Sequence, residues 1–224
     1  MVRAKMVLAM VLQGKLDAKR AEAGPAYLDR IEAAAIALEQ AGVPQGCKQV
    51  RDLAPDFALA TRDGELVFLS ELLRSGCVVI SFFRGEWCPF CQAELSALLA
   101  AQPDMERLGA TLLLISPEQP SEALVADVAR LGTRVRLLRD AKLGAALLYG
   151  LIYLVPKTLR EFYLGRGLDL SRDLSTGSWL LPMPADFVIS SDRIIRLSYT
   201  ELDFTRRLDP KIIVETLERL QRGS

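Results

Sequence analysis

Two cysteines two residues apart, Cys88 and Cys91, lie in the stretch FFRGEWCPFC, Phe82 to Cys91. Such a pair can staple a fold, hold a metal, exchange disulfides or reduce a peroxide. An apolar, partly β-branched run, Cys77–Phe83 (CVVISFF), precedes it and reads as a strand buried on both faces. Pro89 follows Cys88 at once and suits the first position of a helix. The Cys88 sulfur therefore falls at a helix N-terminus, where unpaired N–H groups and the positive end of the dipole favour thiolate over thiol. Cys91 lies one turn further on, near enough to close a small disulfide ring. The pattern predicts one exposed, low-pKa cysteine that attacks and one more buried cysteine that resolves the mixed disulfide.

Composition removes several other chemistries. The 224 residues include no histidine. Ser-His-Asp and Cys-His catalysis are excluded, and so is any zinc site that needs imidazole. A zinc site on the pair would have to recruit Cys47 and Cys77, or carboxylates. Cys77 opens an apolar strand and reads as core. Cys47 follows Gly46 in a loop and reads as a bystander, with a redox or intersubunit role as the alternative. Two inert buried cysteines at 88 and 91 are the remaining structural reading. No metal and no cofactor are expected. Lys+Arg and Asp+Glu both number 28, so no net charge recruits nucleic acid or an anionic membrane. Four cysteines in a chain this long are not a secreted disulfide scaffold. The early apolar run Met6–Leu12 is followed by Gln13, Gly14 and Lys15 without a small-residue cleavage pattern, and no run reaches the ~20 apolar residues of a membrane span. A cytoplasmic setting is expected.

The elements that must position the pair follow from periodicity. Residues 1–45 read as helix, with Pro25 at a first helical position and Gly42 as a stop. Leu28, Ile31, Ala35 and Leu38 recur there on one face. This extension, residues 1–46, reads as a packing helix or a dimer contact. From residue 47 onward a single domain is expected. Phe57–Leu59 and Leu66–Phe68 flank Arg62-Asp63-Gly64, an Asp-Gly hairpin signal. After the pair come a helix kinked at Pro103 and ended by Gly109, a buried strand Thr111–Ser116, a helix Ser121–Leu131 and a strand Val135–Leu138. Strand, helix, strand, helix, strand argues for parallel strands covered by helices on both faces. Residues 151–182 break the rhythm with a short helix, Lys157–Leu164, and a polar loop that includes Ser171, Ser175 and Ser178. They read as an insertion over the core, a candidate lid. A hairpin of Ala185–Ile189 and Ile194–Tyr199 and a last helix opened by Asp209 and Pro210 complete the chain.

FFRGEWCPFC in this strand–turn–helix setting resembles the peroxiredoxin-like branch of the AhpC/TSA (alkyl hydroperoxide reductase and thiol-specific antioxidant) superfamily. The likeness extends over about residues 53–220, through APDF (Ala54–Phe57), LLLISP (Leu112–Pro117) and PADFVIS (Pro184–Ser190). It implies a thioredoxin-like α/β fold, with a central mixed sheet flanked by helices and an N-terminal helical extension. Peroxiredoxins carry Pro-x-x-x-Thr-x-x-Cys. Laid on this chain without gaps, that pattern puts the peroxidatic cysteine on Cys91, the threonine on Cys88 and the proline on Arg84. An arginine expected three residues before Phe187 is Pro184. The replacements resemble thioredoxin instead, with Trp87 before the first cysteine and Pro184 where that fold has a cis-proline facing the sulfurs. There the backbone of Met183 could receive an extended peptide. Thioredoxin's buried acid is missing at Phe82 and Ser81, so proton transfer to Cys91 would fall to Glu86, Glu94 or Asp186, each of which also reads as a plain surface carboxylate. Arg84 could lower the thiolate pKa or simply face water.

Three functions remain. The first is a thiol–disulfide oxidoreductase, with Cys88 attacking, Cys91 resolving and Pro184 shaping the docking surface. The second is a thiol peroxidase in which Cys91 is oxidised and Cys88 condenses with it. The third is a non-enzymatic redox sensor that uses residues 151–182 as a contact surface. The first two imply a disulfide or peroxide substrate and a reductant that is a thioredoxin- or glutaredoxin-type protein or a low-molecular-weight thiol. A homodimer is an open expectation.

Overall fold

The computed structural model describes residues 2–24, 26–174 and 176–223, with side chains described from residue 8 onward. The helix start expected at Pro25, Ser175 of the polar loop, and the side chains of Met6 and Val7 lie outside the described residues.

Two helices precede the sheet, α1 (Val2–Ala23) and α2 (Ala26–Gln40). The buried stripe of α2 is Tyr27, Ile31, Ala34 and Leu38, a single face at helical spacing. Leu28 and Ala35, expected on that face, are only half-buried. Within the stripe Tyr27 packs its ring on Phe162, 5.3 Å between centroids. A 3₁₀ turn, Val43–Gly46, leads to the hairpin of β1 (Ala58–Ala60) and β2 (Leu66–Phe68), as the Asp-Gly turn signal predicts. The short helix α3 (Leu69–Leu72) and a second 3₁₀ turn, Leu73–Ser75, follow.

The core alternates as the sequence predicts: β3 (Val78–Phe82), α4 (Pro89–Arg107), β4 (Thr111–Ser116), α5 (Glu122–Ala129) and β5 (Val135–Arg139). Every residue of β3 and β4 is buried, which is why these segments read as continuous apolar runs. Helix α4 continues through Pro103 to Arg107. After α6 (Gly144–Leu148) the insertion is stemmed by two strands, β6 (Ile152–Leu154) and β7 (Leu180–Pro182), which pair antiparallel with each other. Between them lie α7 (Lys157–Leu164), at the bounds the sequence predicts, and α8 (Leu170–Asp173). The three-residue strands were not foreseen. They are too short to show a period and pair across the length of the insertion.

The closing hairpin of β8 (Ala185–Ile189) and β9 (Ile195–Thr200) adds to the sheet, and α9 (Pro210–Arg222) ends the chain. The order is β2-β1-β5-β4-β3-β8-β9, with β3, β4 and β5 parallel and the outer pairs antiparallel. The sheet is thus mixed, with helices flanking it. Helices α1 and α9 pack on α4, and α2 packs on α7.

The expected cis Met183–Pro184 bond is trans, and among the described residues no peptide bond is cis. The Met183 N–H donates to Leu151 O at 2.7 Å, and the lower-energy trans form carries the chain from β7 into β8. Met183 and Pro184 are both buried, so they present no open edge for a docked peptide. No helix among the described residues is long and apolar enough to cross a membrane.

Candidate functional site

Cys88 is the N-cap of α4, and Pro89 occupies the first turn, as the spacing predicts. The loop from β3 into α4 is tied at several points. Cys88 N–H donates to Gly85 O at 3.2 Å, and Phe83 N–H donates to Ile115 O at 3.0 Å. Gly85 holds φ at +145°, and a Cβ there would stand 2.2 Å from Glu118 Oε2. That same oxygen accepts from Glu86 N–H at 2.8 Å. The Glu86 carboxylate accepts from Ser121 N–H and Oγ–H, at 2.8 and 2.7 Å. It anchors the loop to the start of α5.

Arg84 is fully buried rather than facing water. Its Nη1 points at Cys88 Sγ, 3.9 Å away, and its Nη2 donates to the Tyr163 hydroxyl at 2.7 Å. The guanidinium lies over the rings of Phe204 (4.1 Å) and Trp87 (4.7 Å), with Tyr163 at 5.9 Å. Neither hydrogen-bonded partner is a carboxylate, so the nearest group able to balance this buried charge is the Cys88 sulfur.

A second arginine serves the second cysteine. Arg207, from the segment before α9, brings Nη2 to 3.4 Å from Cys91 Sγ. Its Nε pairs with Glu94 Oε2 at 2.8 Å, and its Nη1 donates to the carbonyls of Phe204 and Arg206. Glu94 and Asp186 are both 2 % exposed, so neither is the surface carboxylate that composition alone suggests. Asp186 lies opposite Ser81 in the β3–β8 register.

These placements set the proton chemistry. Burial would raise the Cys88 thiol, but the Cys91 thiol hydrogen bond and the charges of Arg84 and Arg207 outweigh it and hold Cys88 down to about 5. Burial and the neighbouring Cys88 thiolate push Cys91 up. Burial also raises Glu94 well above the usual carboxylate range against the pull of Arg207, and lifts Asp186 to about 6. The pair is therefore poised with one thiolate, on Cys88, and one retained proton. All four cysteines are free thiols in this structure. Among the described residues no cluster of Cys, Asp and Glu could hold a metal ion.

Cys88 is not exposed, contrary to expectation; both sulfurs are fully buried. What reaches Cys88 is a cavity of about 250 Å³. Its inner wall is Arg84, Trp87, Cys88, Phe90 and Phe204, and its roof comes from the α1–α2 pair (Tyr27) and from α7 (Phe162, Tyr163). Residues of the 151–182 segment and of the N-terminal helices thus cover the Cys88 sulfur. Cys91 does not line this cavity.

Sequence reasoning missed Tyr163, Phe204 and Arg207. Tyr163 is 79 positions from its partner Arg84, and Arg207 is 116 positions from Cys91. The adjacent Arg206 and Arg207 look alike in sequence, yet only Arg207 turns inward. The resemblance places an arginine at Pro184; the guanidinium beside Cys91 comes from Arg207 instead.

Comparison with known proteins bears on the fold and the family. No curated protein matches the sequence. Among solved structures, the peroxidoxin BcpB from Mycobacterium tuberculosis is 22% identical, with 77% of this chain and 97% of that chain covered and a TM-score of 0.53. Peroxiredoxin 6 of Arenicola marina is 15% identical over 78% of this chain and 74% of that chain, at a TM-score of 0.59. A peroxiredoxin-like protein from Aquifex aeolicus is 16% identical over 78% of this chain and 88% of that chain, at 0.55. At these identities the likeness is one of fold. The AhpC/TSA family profile, however, matches residues 50–198. With that profile spanning most of the chain, the protein belongs to the AhpC/TSA family of thiol-dependent oxidoreductases.

Proposed function

We propose that the chain reduces small hydroperoxides, with Cys88 as the attacking cysteine and Cys91 as the resolving one. The observation that carries this reading is the Cys88 sulfur, set at the start of α4 against Arg84 and reached through the aromatic cavity. A sulfur with no exposed surface fits a small oxidant better than a disulfide on another folded protein. In this reading residues 1–46 are an extension that closes over the site of the domain formed by residues 47–224.

The Cys88 thiolate attacks the terminal oxygen of ROOH. An S–O bond forms, the O–O bond breaks, and the leaving alkoxide takes up a proton as ROH. The sulfur, oxidised by two electrons, is then a sulfenic acid. Arg84 Nη1 faces the anion, and its Nε is buried without a partner, free to donate to a peroxide oxygen. Cys91 loses its proton and attacks Cys88 sulfur; the S–S bond forms and water leaves. Arg207 favours the Cys91 thiolate, and the proton that Cys91 gives up goes to the departing hydroxide, which leaves as water. Two thiols of a thioredoxin-like or low-molecular-weight reductant then restore the pair.

The test is stopped-flow oxidation of the reduced protein, together with dimedone trapping in Cys91→Ser. A fast phase and a dimedone adduct on Cys88 are expected. An adduct on Cys91 in Cys88→Ser, with none on Cys88 in Cys91→Ser, would reverse the roles. Oxidation no faster than that of a free thiol would reject peroxide reduction and return thiol–disulfide exchange as the reading.

A further inference from the structure

The rim of the Cys88 cavity carries charges that the thiol chemistry does not use. Lys19 and Glu22 of α1, and Arg166 just past α7, stand where the cavity meets solvent. Glu22 is shared between the two cations, 2.7 Å from Lys19 Nζ and 3.5 Å from Arg166 Nε. One carboxylate between two cations leaves the rim one positive charge in excess. Arg166 is also placed by packing, since its guanidinium lies 4.1 Å from the centre of the Phe162 ring, which lines the same cavity. Below the rim the wall is aromatic, with Tyr27, Trp87, Phe162, Tyr163 and Phe204. At the floor stands Arg84 beside the Cys88 sulfur.

A molecule filling this space would meet three zones in order: a cation-rich rim, an aromatic sleeve and a thiolate with its guanidinium. At about 250 Å³ the cavity is somewhat smaller than the sites that enclose drug-sized ligands. We propose that the substrate is an organic hydroperoxide with an aromatic or short branched apolar body and an anionic group at the end opposite the peroxide. The peroxide oxygens reach Cys88 and Arg84, the body stacks in the sleeve, and the carboxylate meets Lys19 and Arg166, displacing part of their contact with Glu22. This rests on the reading above, that Cys88 is oxidised by a hydroperoxide.

An anionic thiol reductant could be drawn to the same rim, so the oxidative half-reaction is measured alone. Reduced protein is mixed, without reductant, with 4-(2-hydroperoxypropan-2-yl)benzoic acid and separately with its methyl ester. The two share the same reacting group and body and differ in charge. The acid is expected to oxidise Cys88 about fivefold faster or more at low ionic strength, a preference that shrinks as salt screens the rim. In Lys19→Gln/Arg166→Gln the acid-to-ester ratio is expected to fall towards one, and in Glu22→Gln to rise. Equal wild-type rates for acid and ester would overturn the proposal while leaving hydroperoxide reduction standing. Failure of both compounds while hydrogen peroxide still oxidises Cys88 would likewise overturn the proposal alone; failure of hydrogen peroxide as well would sink the underlying function. A charge preference confined to the subsequent reduction by an anionic thiol would assign the rim to the reductant and also overturn the proposal.

Discussion

Arg84 Nη1 faces Cys88 Sγ at 3.9 Å from inside an aromatic cage, and no carboxylate competes for it by hydrogen bond. A fully buried guanidinium without an acid partner is costly unless an anion is supplied. Here the thiolate supplies it, so the charge of Arg84 and the ionisation of Cys88 support each other.

We expect thiolate absorbance near 240 nm to titrate with a midpoint near pH 5 in wild type, and Cys88→Ser to lose that step. Arg84→Met should move the midpoint up by about one unit or more. Below that midpoint the thiol is protonated, so peroxide reactivity should fall as pH drops through it. Arg84→Lys keeps the charge but loses the planar stack on Phe204 and Trp87, and should restore the titration only in part. Far-UV circular dichroism separates loss of charge from loss of fold. An unmoved midpoint in Arg84→Met would assign the low pKa to the Cys91 hydrogen bond and Arg207 without Arg84.

The buried Arg207–Glu94 pair should show strong coupling. Arg207→Met leaves the Glu94 carboxyl buried without its cation and is expected to cost about 3–5 kcal/mol in urea unfolding. Arg207→Met/Glu94→Gln should recover a good part of that loss. Additive losses in the double-variant cycle would show that the two groups do not depend on each other.

Asp186 sets a pH dependence of stability. Folding raises its carboxyl from 3.8 to about 6, chiefly through burial. The folded state therefore favours the protonated form. The resulting stability is complete below pH 3.8 and is lost as pH rises through about 6, a difference of about 3 kcal/mol at neutral pH. Asp186→Asn should raise the Tm relative to wild type at pH 8 and leave it nearly unchanged at pH 4. A gain of equal size at both pH values would show that ionisation of Asp186 is not the cause.

Gly85→Ala should disturb the loop that delivers the pair. Its φ of +145° disfavours a side chain, and a Cβ would meet Glu118 Oε2 at 2.2 Å and Trp87 Nε1 at 2.5 Å. A loss of about 1–3 kcal/mol is expected, with a change in tryptophan fluorescence. Gly85→Ala/Glu118→Ala should recover only part, because the backbone angle remains. Full recovery would show that the carboxylate contact alone was limiting.

Much of this protein was legible in the chain because the relevant forces act locally. Continuous apolar runs marked β3 and β4, Asp-Gly marked the β1–β2 turn, and Cys88-Pro89 marked the start of α4. The absence of histidine already required that any activating charge for a cysteine come from elsewhere. What supplies it was decided only by tertiary structure. Arg84 could have faced water, and nothing in its neighbours reveals a cage completed by Phe204 and by Tyr163 of the insertion. Arg207 and Glu94 are 113 positions apart, and each reads as a surface residue until the packing of α9 on α4 brings them together. Burial of Cys88 likewise follows from α1, α2 and α7 closing over it, a matter of long-range packing that residue periodicity does not encode. The sequence by itself determined where the thiols sit and which residues could not serve them; the folded chain decided which cations they meet and what can reach them.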